Sequence, residues 1–133
     1  MTQKILDDNE LRILFKKINS IVMIGVSASP LRASYFVARY FVLRGISVIP
    51  INPNYEGKKL WGEKVLGKIS DIDPDKRVDL IDIFRPSKEV PNIVEDTVKY
   101  LKPLGCKTVW MQIGIKNNKA ALIAKKNGMN FIM

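Results

Sequence analysis

Residues 20–29 read Ser20-Ile21-Val22-Met23-Ile24-Gly25-Val26-Ser27-Ala28-Ser29. The run up to Val26 is apolar without alternation, the pattern of a strand buried on both faces inside a parallel sheet. A loop over residues 27–33 follows, and residues 34–44 then favour a helix that closes on Gly45 as a C-terminal cap. Ile46-Ser47-Val48-Ile49-Pro50-Ile51 makes a second buried strand. Strand, glycine turn, helix and strand form a βαβ unit, whose crossover is right-handed.

The same alternation extends outward. Before the first strand, Leu11, Leu14, Phe15 and Ile18 recur at helical spacing behind the caps Asp7 and Asp8, which predicts an amphipathic helix laid on a larger body. Residues 52–67 are rich in Asn, Pro and Gly and read as loop, with a short edge strand at 64–66. Val78-Asp79-Leu80-Ile81-Asp82-Ile83-Phe84 is a third buried strand. Ser87 can cap the next helix, with Pro91 in its first turn, and Val90, Ile93, Val94, Thr97, Val98 and Leu101 fall on one face. A strand over 107–113, a helix over 118–127 ended by Gly128, and a strand over 129–133 complete the pattern. The expected fold class is α/β: one doubly wound parallel sheet in three layers, α/β/α, over residues 20–133, with an extra N-terminal helix over residues 1–19 packed on it.

Composition agrees. The chain has 133 residues, 47% of them hydrophobic and 26% charged, a globular balance that excludes a disordered or collagen-like chain. No apolar run is long enough to span a bilayer and no signal core opens the chain, so a cytoplasmic protein is expected. There is no His and a single Cys, Cys106, which excludes Ser-His-Asp and Cys-His nucleophiles, His/Cys zinc cages and an internal disulfide. Cys106, beside Lys107, reads as a small half-buried thiol rather than as an activated thiolate. Twenty-two Lys and Arg against 13 Asp and Glu leave a charge of +9, which suggests a polyanionic partner, either nucleic acid or a phosphorylated small molecule. Much of that excess lies in residues 97–133, with seven Lys and no acid.

In doubly wound sheets ligands bind beyond the carboxyl ends of the strands, where the strand order reverses. The first such loop is Gly25-Val26-Ser27-Ala28-Ser29-Pro30-Leu31-Arg32-Ala33-Ser34. Gly25 permits a tight turn, Ser27 and Ser29 could donate to phosphate oxygens, and Arg32 adds a forked cation. The dinucleotide glycine fingerprint is incomplete. After the second strand comes Asn52-Pro53-Asn54, with no acid for a ribose diol and with Lys58 and Lys59 nearby, which disfavours NAD and leaves NADP or an adenosine 3′-phosphate compound. Phe84-Arg85-Pro86 and Gln112-Ile113-Gly114-Ile115 end two further strands in polar groups at the same edge. Asp79 and Asp82 point to opposite faces of one strand, so they are read as structural rather than as an acid/base pair.

Taken together, these loops resemble those of the small stand-alone CoA-binding domain proteins, which look like a free-standing version of the Rossmann-like CoA-binding domain of succinyl-CoA synthetase α chains and acyl-CoA synthetases. The order and spacing match over nearly all of the chain after Ser20. The resemblance implies binding of coenzyme A as cofactor, with the diphosphate over Gly25, Ser27, Ala28, Ser29 and Arg32. Asn52, Pro53 and Lys58 would border the adenosine, and Phe84, Arg85, Gln112 and Gly114 would line the other side of the cleft. It transfers no reaction, because the synthetases need a phosphohistidine and a nucleotide-grasp partner.

The leading expectation is therefore a CoA or acyl-CoA binding protein without catalysis of its own. The alternatives are an NAD(P)-binding oxidoreductase fragment or a regulatory nucleotide-binding domain. Nucleic-acid binding is disfavoured, since the cations are 16 Lys and only 6 Arg with no aromatic-interleaved basic motif. The second helix is apolar around much of its girth at Tyr35, Phe36, Tyr40, Phe41 and Leu43. It either packs beneath the N-terminal helix or offers a homodimer face.

Overall fold

A computed structural model describes residues 8–27, 29, 32–111 and 117–132 of the chain. Five parallel strands form the main sheet: β1 (Ser20–Ile24), β2 (Ser47–Ile51), β5 (Leu80–Ile83), β6 (Thr108–Met111) and β7 (Asn130–Ile132), in the order β2-β1-β5-β6-β7. The register is continuous, with Ile24 opposite both Ile51 and Ile83. The chain runs outward from β1 to β2 and later returns to β1's other side with β5, so the order reverses between β1 and β5.

Pairing beyond β2 stops at a single parallel bridge, Ile51 to Leu66, where the sequence predicts an edge strand. Pro50 explains the brevity. Its carbonyl accepts from Leu66 N–H at 2.9 Å and Asn52 N–H donates to Leu66 at 2.9 Å, so this edge of β2 faces outward at Pro50, which has no N–H to extend the ladder. The intervening residues form a two-stranded hairpin, β3 (Lys59–Leu60) and β4 (Glu63–Lys64). Trp61 and Gly62 make its turn with φ of 51° and 83°, the left-handed values that right-twisted hairpins favour. Trp61 is held there by the second core cluster and by the Tyr35 ring at 5.1 Å.

The two faces of the sheet separate along single strands. Val22 and Ile24 of β1 join Ile81, Ile83, Val109 and Met111 in one core, while Ile21, Met23, Val48 and Leu80 join another. The first core is covered by α3 (Val90–Asp96) through Val90 and Val94 and by α4 (Asn118–Lys126) through Ala120, Ala121 and Ala124. The second is covered by α2 (Ala33–Leu43) through Ala38 and Phe41, and α1 (Asp8–Lys17) adds Leu14 on the same side, next to Ile18. Three layers result, and the strands are nearly all apolar because both faces are covered, with Asp82 of β5 and Thr108 of β6 as buried polar exceptions. On α2, Phe41 is buried, whereas Phe36, Tyr40 and Leu43 remain 56%, 55% and 74% exposed.

Helix α3 belongs to a longer helical run that starts as a 3-10 turn at Ser87–Glu89, widens to a π turn at Thr97–Leu101 and tightens again at Lys102–Leu104. Pro103 lies just past the π turn, and its ring crowds the carbonyl four residues back. The N-cap position of the opening turn is Pro86. Asn117, the N-cap of α4, donates from Nδ2 to the Ser87 carbonyl at 2.6 Å and accepts Ala120 N–H at 2.9 Å. No helix among the described residues is long and apolar enough to cross a membrane.

Candidate functional site at the carboxyl edge

The reversal of strand order brings β1 and β5 into close backbone contact just past their carboxyl ends. Phe84 N–H donates to the Ile24 carbonyl and Gly25 N–H to the Ile51 carbonyl, both at 2.8 Å. Gly25 has φ of 83°, and a methyl built on it would overlap the Phe84 carbonyl oxygen and lie 2.8 Å from Arg85 Cδ. Only glycine meets both demands. Beside it lies a cleft of about 180 Å³, lined by Gly25, Pro53, Lys68, Arg85, Glu89 and Asp96 over an apolar floor that includes Ile24, Ile51 and Ile93.

The turn after Gly25 is organised by hydroxyls. Ser34 Oγ accepts Ser27 N–H at 3.0 Å, and Ser27 Oγ accepts Ser29 N–H at 3.0 Å. Ser27 and Ser34 are buried, so these serines shape the loop. Arg32 is the N-cap of α2 without a side-chain cap bond, and the first turn of α2 has no acidic residue. That end of the helix therefore offers its backbone N–H groups and positive dipole end to an anion.

Asn52 is committed internally. Its Nδ2 donates to the Val26 carbonyl at 3.0 Å and its Oδ1 accepts Asn54 N–H at 3.0 Å, tying the end of β2 to the loop after β1. Substitution Asn52→Ala leaves a buried carbonyl unpaired and is expected to lower stability by about 1–2 kcal/mol, read as the midpoint shift in chemical denaturation. An unchanged midpoint would show that the stitch carries no weight.

The remaining predicted residues are spread around the cleft. Pro53 and Arg85 line it; Phe84 is half-buried and packs on the second core cluster. Arg85 Nη2 donates to both Glu89 carboxylate oxygens at 2.9 and 3.0 Å. Lys58 is exposed with its ammonium 5.4 Å from the Tyr55 ring centroid and does not line the cleft. Ala28, Gln112 and Gly114 lie outside the described residues. Sequence reasoning missed Lys68, Glu89, Ile93 and Asp96. The last three were available in principle, because 89, 93 and 96 form a helical stripe beside the buried stripe Val90, Val94 and Thr97.

Two groups outside the cleft are structural. Asp79 Oδ2 accepts the N–H groups of Asn19 and Ser20 at 2.8 and 3.2 Å, and Oδ1 accepts from Arg77 Nε at 3.0 Å. Cys106 is buried and its thiol is pushed up to about 12, chiefly by burial and secondarily by the charge of Asp79. A folded thiol titrating above its unfolded value of 9.0 stabilises fully below pH 9 and loses that contribution as pH rises towards 12. Cys106 is thus expected to ignore a chromogenic thiol reagent at pH 8 in the native protein and to react with one equivalent after denaturation. Cys106→Ser is expected to flatten the alkaline fall in stability; reaction of the native thiol within minutes would contradict its burial.

A glycine turn, an open helix N-terminus and cations at the point of strand reversal place the chain among doubly wound domains built to hold a phosphate-bearing ligand at that point. The CoA binding domain family matches residues 19–133, and the chain belongs to that family. The uncharacterized protein YneT of Bacillus subtilis (strain 168) is 27% identical over 124 residues, covering 93% of this chain and 86% of that one. Among solved structures, a hypothetical protein from Pyrococcus horikoshii OT3 matches with a TM-score of 0.83 at 27% identity, over 99% of this chain and 89% of that one. The apo acetyl-coenzyme A synthetase 1 of Ca. Korarchaeum cryptofilum matches with a TM-score of 0.68 at 26% identity, over 85% of this chain and 25% of that one. The α/β Rossmann-like fold expected from the sequence is the fold observed, with five strands in its main sheet.

Proposed function

We propose that the chain binds coenzyme A or an acyl-CoA at the carboxyl edge and carries out no catalysis of its own. The observation that carries this reading is the cleft lined by Gly25, Pro53, Lys68 and Arg85 at the strand reversal of a CoA-binding family member. The diphosphate would lie over the Gly25 turn, against the Ser27 and Ser29 hydroxyls and the N-terminus of α2, with Arg32 and Arg85 on either side. The adenosine would lie towards Asn52 and Pro53. Its 3′-phosphate would meet Lys68 at the cleft rim, with Lys58 further out. Ala28, Gln112 and Gly114 complete the site by resemblance. At about 180 Å³ the cleft is smaller than the about 300–1,000 Å³ that encloses a whole small-molecule ligand. One segment of CoA would seat there while the rest crosses the loops.

Calorimetric titration with CoA, dephospho-CoA and NADP tests this reading. CoA is expected to bind saturably, dephospho-CoA more weakly, and Lys68→Ala to narrow the gap between them. Absence of CoA heat alongside micromolar NADP binding would favour the oxidoreductase-type alternative and overturn the proposal.

A further inference from the structure

At the amino edge of the sheet, the ends of α1 and α2 and the approaches to β1 and β2 enclose a second cleft of about 650 Å³. A five-residue strand separates it from the first by about 16 Å. Arg12 and Lys16 of α1 line it together with Arg44, Asn19, Tyr40 and Gly45. No described ion pair involves any of the three cations, and no carboxylate is among the described residues that line the cleft. Asp79 approaches through the Asn19 N–H, but Arg77 already pairs with it. Residues 11–55 contain Arg12, Lys16, Lys17, Arg32, Arg39 and Arg44 and not one Asp or Glu.

Charge at this edge has an ordinary use, since cations suit helix C-termini. The magnitudes leave a surplus: two C-terminal dipole ends are worth about half a charge each, against three full cations, for a net of about +2. The Arg44 guanidinium lies 5.4 Å from the Tyr40 ring centroid, and that ring is 55% exposed. A planar, cation-backed platform therefore stands next to two unpaired cations, in a cleft whose volume suits a whole small ligand.

We propose that this cleft is a second ligand site, which takes a nucleoside polyphosphate with its base on Tyr40 and Arg44 and its phosphates on Arg12 and Lys16. The proposal is independent of the cofactor at the carboxyl edge. ADP titrated into full-length protein preloaded with one equivalent of CoA is the test. One further equivalent is expected to bind, at least fivefold tighter than inorganic tripolyphosphate. The exposed-site double substitution Lys16→Gln/Arg44→Gln is expected to weaken ADP at least tenfold while leaving the CoA titration unchanged, with a small drop in the thermal midpoint from the lost helix C-terminal charges. Arg85→Ala is expected to leave ADP binding unchanged. No ADP heat, equal binding of tripolyphosphate, insensitivity to the double substitution, or loss of ADP binding with Arg85→Ala would each overturn the proposal. Failure of CoA to bind would instead count against the carboxyl-edge reading.

Discussion

Gly25→Ala is expected to destabilise the fold by about 3–4 kcal/mol and to abolish CoA binding at concentrations that saturate the parent protein. A side chain held in left-handed backbone costs about 1–3 kcal/mol by itself. At Gly25 the added methyl also overlaps the Phe84 carbonyl oxygen, which belongs to backbone hydrogen-bonded into the sheet and has no rotamer to move away. The two strand ends must part, and the turn that presents the Ser27 and Ser29 backbone moves with them. Gly45→Ala is the matched control, because Gly45 has φ of 81° but nothing within 4 Å of the added methyl. It is expected to cost only about 1–2 kcal/mol, the left-handed backbone penalty alone. Thermal melts of the two variants read the difference directly; equal shifts would mean that close approach between β1 and β5 contributes nothing.

Arg85→Ala is expected to weaken CoA about 10- to 100-fold with little change in stability. Its ion pair with Glu89 spans i and i+4 and is partly exposed, so it contributes only about 0.3–0.5 kcal/mol. A charge-assisted bond to a phosphate oxygen is worth about 1.5–3 kcal/mol, enough for a bound diphosphate to take the guanidinium from Glu89. The same comparison gives the sign for Glu89→Gln: removal of a competing carboxylate from the cleft is expected to tighten CoA a few-fold. Calorimetry of both variants checks this. If Arg85→Ala binds CoA as the parent does, the diphosphate lies elsewhere.

The layers of the fold were legible because burial on both sheet faces leaves continuous runs such as Ile21-Val22-Met23-Ile24, which few other arrangements require. Helix and strand centres followed from the same runs, while limits did not: the strand expected up to Val26 is β1 at Ser20–Ile24. The hairpin at β3 and β4 escaped because two-residue strands carry no period, and a Trp at φ of 51° violates the usual turn preference for Gly or Asn. Conversely, Pro50 stood in plain view as the residue that stops sheet growth beyond β2. Its meaning depended on which side of the strand faced outward, and only pairing decides that.

Site residues divided along the same line. Gly25 and Arg85 were readable because strand ends in this architecture converge. Asn52 was singled out by position, yet its side chain is spent on Val26 and Asn54, a distinction between holding a loop and touching a ligand that spacing cannot make. Lys68 was overlooked for Lys58, ten residues earlier, because the hairpin between them folds back and returns the chain to β2 at Leu66.

A structure of the protein with CoA bound tests the central claim most directly. The expected result is the diphosphate on the Gly25 turn and the N-terminus of α2, with Arg85 turned from Glu89 to a phosphate oxygen. CoA seated at the amino-edge cleft of Arg12 and Arg44, or a carboxyl-edge cleft that stays empty at saturating CoA, would contradict it.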